Sequence, residues 1–439
     1  MTTALYLGID LGTSGCRAVA IDENGRQRAS AAAGLPAPRR DGERCEQDPD
    51  LWWQAVCEVL RALLAQVPAT MVRAIAVDGT SASLLLSDEQ GEPLGPALMY
   101  NDARAVAQAK RIAAGAPPAT AAQGPASALA KLLWLRDEGL TRPARHALHQ
   151  ADWISARLSG RAGVSDQNNA LKLGYDPLAE SWPDWLDALG VPRNLLPEVV
   201  PPGTPIGPLR PALARSLGLP AETLIVAGTT DSTAAFLATG AARPGEAVTC
   251  LGSTLVLKVI CEQPVFDATH GVYSQPLFLD GRRLWLAGGA SNSGGAVLRQ
   301  FFSDAQMRAM TPRLRPQRRT CLAYYPLPGP GERFPVNDPR LPPRLTPRPH
   351  DDVRFFQALL EAIAGIESRG YRLLRDLGAP YPVNVRSTGG GAKNPAWERI
   401  RGDLLKVPMI APHSGDAAYG SALLARRAGR TTPTHQHTA

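Results

Sequence analysis

Two aspartates in this chain stand at the ends of apolar runs that are typical of buried strands. Asp231 follows the β-branched run 223–226 and a Gly-Thr-Thr turn, and a helix is predicted to open near Ala234. Asp10 ends the apolar run that begins at Leu5. A carboxylate at such a position can accept a proton as a general base, or hold a magnesium ion through oxygen ligands and water.

The alternative for these residues is structural. Asp, Ser and Thr are preferred at helix N-caps, so Asp231, Ser232 or Thr233 could simply cap the helix that follows. Taken alone, capping is the better explanation of Asp231. The remaining motifs of the chain favour the chemical role.

Two short turns rich in glycine and hydroxyl residues each connect a pair of predicted strands. One is Gly12-Thr13-Ser14-Gly15 within residues 5–22, and the other is Gly252-Ser253-Thr254 within residues 245–260. Each fits an ordinary β-hairpin, but small residues also let backbone N–H groups approach an anion, and hydroxyls add donors. Because Asp-Leu-Gly-Thr-Ser is echoed by Cys-Leu-Gly-Ser-Thr, the sequence indicates two related domains that each lend a hairpin to one bound phosphate chain.

Further polar or glycine-rich residues follow predicted strands. Residues 78–81 and 102–104 are polar strand ends, residues 288–295 form a glycine-rich turn predicted to enter a helix, and residues 388–391 contain a triple glycine. Each of these alone is better explained as a cap or turn. Together with Asp10 and Asp231 they form the set that phosphoryl transfer needs, namely backbone donors for phosphates, a metal and a base.

Composition excludes several other classes of protein. A chain of 439 residues exceeds one typical core, so two domains are expected. No apolar run is long enough to span a membrane, no signal peptide is evident, and the six scattered cysteines are typical of reduced thiols in a cytoplasmic protein. The net charge of +7 is dispersed rather than concentrated in a stripe, so we expect no nucleic-acid partner.

Familiar nucleotide-binding and hydrolase motifs are absent from the sequence. There is no G-x-x-x-x-G-K-[ST], no G-x-G-x-x-G after a strand, no H-R-D with D-F-G, no G-x-S-x-G and no H-E-x-x-H. If the protein binds ATP, it therefore does so on another scaffold.

Hydrophobic periodicity predicts the elements that position these residues. Helices are expected over 48–66, with an apolar stripe of Trp52, Trp53, Val56 and Leu60, and over 129–138, 150–158 and 355–374. Strands are expected over 74–78, 83–87 and 383–387, and residues 165–176 are expected to form a polar loop facing a ligand. Residues 311–350 are rich in proline and predicted to be irregular, as in a surface excursion. A helix near 417–424 is expected to pack against the N-terminal domain.

At this point the motifs are recognisable as a set. The chain resembles the FGGY carbohydrate kinases of the actin-like superfamily over nearly its whole length and in family order. The matching segments are Gly8-Ile-Asp-Leu-Gly-Thr-Ser14, Asp78-Gly-Thr-Ser81, Lys131-Leu-Leu-Trp134-Leu-Arg-Asp-Glu138, Ala227-Gly-Thr-Thr-Asp231, Leu251-Gly-Ser-Thr254, Gly331-Glu-Arg333 and Gly389-Gly-Gly-Ala-Lys-Asn394. Ala128 departs from the Pro, Ser or Thr that is usual three residues before the lysine. The chain is also shorter than most members.

The resemblance implies an α/β, two-domain, actin-like ATPase (ribonuclease H-like) fold with a cleft between the domains. It implies an N-terminal sugar-binding domain over 1–238, completed by 412–432, and a C-terminal nucleotide-binding domain over 239–411. The kinase hypothesis further expects that Asp10 and Asp231 face one shared gap, with one carboxylate from each lobe. A monomer or a homodimer is expected.

Site residues are also implied by the resemblance. Asp231 is the implied general base and Asp10 the implied magnesium ligand and a substrate contact, with ATP and Mg²⁺ as cofactors. The implied sugar-binding residues are Ser14, Gly15, Arg17 and Ser81, together with Asp10 and Asp231. The implied ATP-binding residues are Gly12, Thr13, Gly252, Ser253, Thr254, Gly289, Gly390, Gly391, Asn394 and Trp397.

The segments 151–153, 168–175 and 324–328 resemble the plant and cyanobacterial group of the family first called xylulose kinase-like, which implies phosphorylation of D-ribulose to D-ribulose 5-phosphate. Xylulose, glycerol or another polyol remains open as the acceptor. A catalytically silent sugar sensor or an actin-like ATPase scaffold is the alternative from another class.

Overall fold

The computed structural model describes residues 3–279 and 281–431. Contacts divide these residues into two compact units: an N-terminal unit of residues up to 238 together with residues from 416 on, and a C-terminal unit of Thr239–Gly415. No helix within the described ranges combines the length and the apolar character needed to cross a bilayer.

Each unit opens with a run of consecutive strands, and helices are interspersed among the later ones. In chain order the strands are β1 (Leu5–Leu11), β2 (Gly15–Asp22), β3 (Gln27–Gly34), β4 (Arg39–Asp41), β5 (Arg44–Gln47), β6 (Val72–Gly79), β7 (Leu84–Ser87), β8 (Ala97–Leu98), β9 (His146–His149), β10 (Val164–Asp166), β11 (Glu198–Val200), β12 (Pro205–Pro208), β13 (Leu224–Thr230), β14 (Glu246–Leu251), β15 (Leu255–Cys261), β16 (Tyr273–Leu279), β17 (Arg282–Ser291), β18 (Asn384–Thr388) and β19 (Met409–Ile410).

Most helices are short, and one long helix, α11, belongs to the C-terminal unit. In chain order the helices are α1 (Pro49–Leu64), α2 (Val106–Gly115), α3 (Ala128–Asp137), α4 (Gln150–Ser159), α5 (Gln167–Ala170), α6 (Trp185–Ala188), α7 (Pro211–Leu217), α8 (Asp231–Ala238), α9 (Gly295–Arg299), α10 (Asp304–Met310), α11 (Asp352–Asp376), α12 (Pro395–Leu405) and α13 (Ala417–Thr431).

The N-terminal unit is organised around a six-stranded sheet with the order β12-β13-β6-β1-β2-β3. Strands β13, β6 and β1 run parallel to one another, whereas β1, β2 and β3 form an antiparallel meander. A second sheet, β4-β5-β8-β7-β9, carries its own apolar core with α2 and α3. Parallel strands need helical crossovers, which is why helices separate β1, β6 and β13 along the chain.

Helix α1 confirms the apolar stripe expected from the sequence. Asp48 caps it by accepting a hydrogen bond from the Asp50 backbone N–H (3.0 Å), and the helix begins at Pro49. Trp52, Val56 and Leu60 are fully buried in the core of the sheet, whereas Trp53 is half-buried against it. Because residues four apart share one helix face, this spacing buries one continuous stripe, with each side chain contributing roughly 1.5–3 kcal/mol.

The C-terminal helix α13 packs on the N-terminal sheet, as the sequence predicted. Two glycines permit this contact. A Cβ on Gly8 of β1 would lie 1.9 Å from the carbonyl oxygen of Ala418, and a Cβ on Gly420 would lie 1.9 Å from that of Ala234 in α8. Any side chain at either position would push the helix away from the edge where β1, β6 and β13 end.

The C-terminal unit is built on a six-stranded sheet with the order β16-β17-β15-β14-β18-β19. Helix α11 covers the range predicted from the sequence and buries a long apolar face against it. Residues 311–350 contain no strand and only a 3₁₀ turn, so their predicted irregularity is confirmed. They are not a surface excursion, because Tyr324, Tyr325, Leu327 and Phe334 are buried in the core of this unit.

A buried ion pair fixes helix to helix and helix to sheet in the C-terminal unit. Glu367 of α11 and Arg401 of α12 are 0% and 1% exposed and form a two-point ion pair, at 2.6 and 2.7 Å. Thr249 of β14 donates to Glu367 (2.6 Å) and contacts the Tyr371 hydroxyl (2.8 Å). Since both charges are paired and hydrogen-bonded, they can be buried without leaving an uncompensated ion.

Candidate active site

Three aspartates mark the carboxyl ends of three adjacent parallel strands in the N-terminal unit. Asp10 of β1 lies opposite Asp78 of β6 in the strand register, and Thr229 and Thr230 of β13 lie opposite Asp78 and Gly79. Asp231 follows directly as the first residue of α8. In parallel α/β sheets, ligands bind outside this edge of the strands, so the three carboxylates occupy the position expected for a site.

Asp231 confirms the predicted strand-to-helix junction, although the helix begins three residues before Ala234. Its carboxylate is half-buried, and Oδ1 accepts a hydrogen bond from the Ser232 backbone N–H (2.6 Å). A negative charge in the first turn of a helix is stabilised by the helix dipole. This geometry fits both an N-terminal helix charge and a base exposed to a substrate.

The carboxylates of Asp10 and Asp78 crowd one another. Burial raises the pKa of Asp78 well above its usual range, with the nearby charges of Asp10 and Asp231 adding to the effect, while the Ser421 hydroxyl of α13 opposes it by donating a hydrogen bond at 2.6 Å. Burial also raises the pKa of Asp10, a hydrogen bond with Asp78 opposes this shift, and the charge of Asp416 adds to it. Acidic groups held this close are stabilised by a positive charge placed between or beside them.

The turn after β1 brings the other predicted residues to the same edge. The Gly12 N–H donates to the Gly15 carbonyl (2.9 Å), and the Thr13 and Ser14 carbonyls accept bonds from neighbouring segments. The Ser14 side chain is exposed, and Arg17 lies exposed on β2 directly opposite Asp10. The guanidinium of Arg17 lowers the pKa of Asp10 and so opposes the burial effect.

Ser81 lies half-buried in the turn after β6, next to Ala82, whose backbone is left-handed with φ of 71°. A hydrogen-bonded network that was not predicted from the sequence holds this turn. The Gln150 side chain accepts from the Thr80 N–H (2.9 Å) and hydroxyl (2.7 Å). Lys131, fully buried, donates to the Ala82 carbonyl at 2.8 Å and to another carbonyl at 2.7 Å.

Some of these supporting residues carry a signal in the sequence itself. Asp78 was visible as a polar strand end, and Lys131 was visible in the family signature, but nothing in the sequence pairs Ser421 with Asp78 across 343 positions.

The polar segment after residue 165 was expected to face a ligand, and this is wrong. Its members Asp166, Asn168 and Asn169 are 1–2% exposed and hydrogen-bond within the core, with the Asn168 amide donating to Thr229 (3.0 Å).

The second glycine turn lies in the C-terminal unit between β14 and β15. The Gly252 N–H donates to the Thr254 carbonyl (3.2 Å), and the N–H groups of Gly295 and Ala296 donate back to the Gly252 and Ser253 carbonyls (2.9 and 3.1 Å). The Ser253 side chain is exposed and Gly252 and Thr254 are half-buried. The turn is therefore rigid and open on one side.

The glycines after β18 differ in how much space surrounds their backbone. Gly390 is exposed, and a Cβ there would meet nothing within 4 Å, which fits a ligand approaching the backbone. A Cβ on Gly391 would lie 2.5 Å from the Trp397 ring. The Trp397 ring is 2% exposed and its N–H donates to the Leu360 carbonyl (3.0 Å), so the ring packs in the core. The nucleotide contact of this residue stays a prediction.

Gly289 and Asn394, two more of the predicted nucleotide-binding residues, each have a structural role. Gly289 lies inside β17, not in a turn, and a Cβ there would lie 2.4 Å from the buried Phe334 ring. Packing therefore explains this glycine, and its ligand contact stays a prediction. Asn394 caps α12 by accepting from the Trp397 N–H (3.0 Å), and its amide donates to the Thr311 hydroxyl (3.2 Å).

The expectation that Asp10 and Asp231 come from different lobes is wrong. Both belong to the N-terminal unit, because β13 is a third parallel strand of the sheet that contains β1. The predicted domain boundary at residue 238 had already placed Asp231 in the first domain. The carboxylates therefore share one sheet edge within one unit.

The acidic edge is compatible with magnesium. No group of three or more His, Cys, Asp or Glu side chains in the described ranges forms a ready-made metal cage. Magnesium does not need one, because it is usually held by one or two carboxylates, water and substrate phosphates. The half-buried Asp10, crowded by Asp78 and Asp416, supplies a hard oxygen ligand whose charge a cation would stabilise.

Carboxylates at the strand ends of one sheet and a glycine turn at those of the other are the groups that a phosphotransferase needs. The chain belongs to the FGGY family of carbohydrate kinases, because the model of the family's N-terminal domain matches residues 5–238 and that of its C-terminal domain matches residues 247–429. Both the predicted family and the two-domain α/β fold are confirmed. Sugar kinases of this family use ATP with Mg²⁺.

Individual relatives agree over almost the whole chain. A xylulose kinase from Escherichia coli (strain K12) is 26% identical, covering 96% of this chain and 90% of that enzyme. A xylulose kinase from Streptomyces rubiginosus is 29% identical, covering 96% and 88%. The crystal structure of a "xyloylose kinase" from Brucella ovis has a TM-score of 0.90 at 26% identity, covering 98% and 91%.

Proposed function

We propose that this protein transfers the γ-phosphoryl group of ATP to the terminal hydroxyl of D-ribulose, giving D-ribulose 5-phosphate and ADP. The observation that carries the proposal is the position of Asp231. Its half-buried carboxylate begins a helix at the same sheet edge as Asp10 and Asp78. A base must lie within reach of the hydroxyl proton that it accepts, and the carboxyl edge of parallel strands is where small ligands bind.

In the proposed reaction, Asp231 accepts the proton of the sugar hydroxyl as that oxygen forms a bond to the γ-phosphorus. The bond from the γ-phosphorus to the bridging oxygen breaks, and ADP leaves with that electron pair. Asp10 would hold the magnesium ion, which supplies charge neutralisation for the phosphates when bound. Arg17, Ser14, Gly15 and Ser81 would bind the sugar's remaining oxygens.

The C-terminal unit is proposed as the nucleotide-binding domain and the N-terminal unit as the sugar-binding domain. Support comes from the rigid turn Gly252–Thr254 and from the open backbone at Gly390. Gly12 and Thr13 supply a similar turn in the N-terminal unit. Backbone N–H groups in such turns bind phosphate oxygens without bringing a side chain into the way.

A second acceptor, D-xylulose, is favoured by the names of the relatives, which are xylulose kinases at 26–29% identity. The support for D-ribulose is the sequence resemblance of residues 151–153, 168–175 and 324–328 to the D-ribulose kinase group. The two sugars differ in configuration at a single carbon, so the same catalytic edge can serve either one. Acceptor choice depends on a few hydrogen bonds around that carbon.

An acceptor screen with ATP and Mg²⁺, read by coupled ADP release and by detection of the phosphorylated sugar, tests the proposal. We expect kcat/KM for D-ribulose to exceed that for D-xylulose, glycerol and other polyols by roughly tenfold or more, since one well-placed hydrogen bond is worth about that much. The reverse order would make the protein a xylulose kinase. Sugar binding without any phosphorylated product would identify a silent sensor.

We also propose a cytoplasmic location, since ATP is kept inside cells, and a monomer or homodimer as the oligomeric state. Light scattering coupled to size exclusion at several protein concentrations measures the latter. Neither statement affects the assignment of Asp231.

A further inference from the structure

An arginine-lined pocket lies in the C-terminal unit. It is formed by residues 312–320 and the first turns of α11 and has a cavity volume of about 730 Å³. Its charged lining consists of Arg313, Arg315, Arg318, Arg319, Arg354 and Asp351. None of the residues Gly252–Thr254, Gly390 or Gly391 takes part in it.

The arginine-bearing segment is irregular but firmly anchored. Gln357 of α11, which is 4% exposed, accepts from the Arg315 N–H (2.8 Å) and donates to the Arg315 and Arg318 carbonyls (3.0 and 2.8 Å). Glu361 accepts from the Thr320 hydroxyl (2.6 Å) and N–H. A buried glutamine and a glutamate therefore hold the backbone, so that the guanidinium groups are presented from a fixed wall.

Among the residues that line this pocket, positive charges outnumber negative ones. Among the described residues, none of the five arginines forms an ion pair with a carboxylate, whereas many other arginines of the chain do. Asp351, the one acidic lining residue, uses Oδ1 to cap α11 by accepting from the Val353 N–H (3.0 Å). Five cations and one anion leave a lining charge of 5 − 1 = +4.

The five arginines are exposed to solvent, and several like charges around one cavity attract an anion. A guanidinium presents a planar fork of donors that matches phosphate oxygens, so several arginines in one cavity select polyphosphates over monoanions. The volume lies within the range of small-molecule sites, roughly 300–1,000 Å³. A continuous basic stripe, which nucleic acid requires, is not what this concave cluster forms.

We propose that this pocket binds a small molecule that carries two or more phosphate groups, at a site separate from that of the transferred phosphoryl group. Thr311, which directly precedes the lining segment, accepts a hydrogen bond from the Asn394 amide (3.2 Å), but neither residue lines the pocket. The binding proposal does not depend on the identity of the sugar acceptor.

Calorimetric titration of the full chain with inorganic pyrophosphate at 0.15 M salt, roughly where exposed surface charges are screened within 8 Å, tests the site. We expect saturable binding that is at least roughly tenfold tighter than that of orthophosphate. The triple variant Arg315→Ala/Arg318→Ala/Arg354→Ala should weaken it by at least roughly tenfold. The matched control Arg282→Ala/Arg308→Ala/Arg375→Ala removes three exposed arginines of the same unit and should leave it unchanged.

Several outcomes would overturn the proposal. These are no binding of pyrophosphate at millimolar concentration, equal weakening in the pocket and control variants, or displacement of pyrophosphate by a saturating non-hydrolysable ATP analogue, which would assign it to the nucleotide site. Tighter binding of a single-stranded oligonucleotide through the same arginines would make the surface a nucleic-acid site instead. A melting temperature that matches the parent protein verifies that the pocket variant is folded.

Discussion

The main sheets of the two units have the same topology but different residues at the functional edge. In the N-terminal unit the strands β3-β2-β1-β6-β13 are joined by two antiparallel and then two parallel pairings, and β17-β15-β14-β18-β19 repeats this order and these directions in the C-terminal unit. The echo of one glycine turn in the other therefore reflects a repeated supersecondary unit.

The difference lies at two register positions. Asp10 faces Asp78 at the strand ends of the N-terminal unit, whereas Cys250 faces Thr388 at the corresponding strand ends of the C-terminal unit. Two crowded carboxylates favour a cation and supply oxygen ligands, while a thiol and a hydroxyl leave the edge free of negative charge. One scaffold can thus serve a metal and a base in one copy and a polyphosphate anion in the other.

The largest effect is expected from removing Asp231, the proposed base, from the acidic edge of the N-terminal sheet. We expect Asp231→Ala to lower kcat by about 10²–10⁴-fold, which is the usual contribution of a placed general base, while ATP binding stays within roughly twofold, since the proposed nucleotide domain is the other unit. Steady-state kinetics and calorimetry measure the two quantities. Asp184→Ala, an exposed acid of the same unit, is the control, and near-normal turnover of Asp231→Ala would refute the assignment of the base.

In the C-terminal unit the carboxylate of Glu367 lies in the core rather than at the edge of the sheet. Its loss should therefore lower the stability of the fold. Glu367→Gln leaves Arg401 buried without a counter-charge, so we expect the free energy of unfolding to fall by about 3–5 kcal/mol. Denaturant unfolding measures it. Glu262→Gln, in an exposed pair, should cost less than about 1 kcal/mol. A comparable loss in both variants would contradict a special role for the buried pair.

A carboxylate introduced at the neutral edge of the C-terminal sheet tests whether the difference between the two edges matters for ATP binding. Cys250→Asp reproduces in β14 the residue that β1 carries at this position, and a negative charge beside bound phosphates is repulsive. We expect ATP to bind roughly tenfold more weakly, as measured by calorimetry. Cys250→Ser retains the size without the charge and should bind ATP as the parent protein does. Equal affinity of the Asp and Ser variants would argue against a phosphate site at this turn.

The buried basic residues of the two units have different partners. The resulting dependence of stability on pH is the smallest of the effects expected here. Arg401 is paired with a carboxylate, but Lys131 bonds to two neutral carbonyls, and burial lowers the pKa of Lys131 from 10.5 to about 7. Above pH 7 the unfolded chain therefore binds one proton more than the folded chain. The contribution of Lys131 to stability should rise with pH from 7 towards 10.5, by about 1 kcal/mol per pH unit.

Unfolding of the parent protein and of Lys131→Met at pH 7, 8 and 9 checks this sign. The stability difference, parent minus variant, should increase with pH, whereas that for Lys110→Met, an exposed lysine of α2, should stay constant. A difference that falls with pH would mean that Lys131 remains charged in the folded protein.

Local pattern predicted the elements well where one face of an element is apolar. The β1–β2 and β14–β15 hairpins, α1 and α11 lie where periodicity placed them, and Asp231 lies at the predicted strand-to-helix junction. Local pattern could not show the packing roles of Gly289 and Trp397, because these depend on neighbours that are distant in the chain. The glycine makes room for Phe334 and the indole fills the core, whereas their ligand contacts rest on the family resemblance and stay predictions.

By itself, the sequence determined the family, the repeated strand-turn-strand units and the carboxylates at strand ends, because these depend on residue types at short spacings. Only the tertiary structure decided that Asp10, Asp78 and Asp231 share one edge of one sheet, that Ser421 donates to Asp78, and that five arginines converge on one cavity. The reason is physical: burial, pKa and charge density depend on neighbours that are distant in the chain, and no local pattern specifies them.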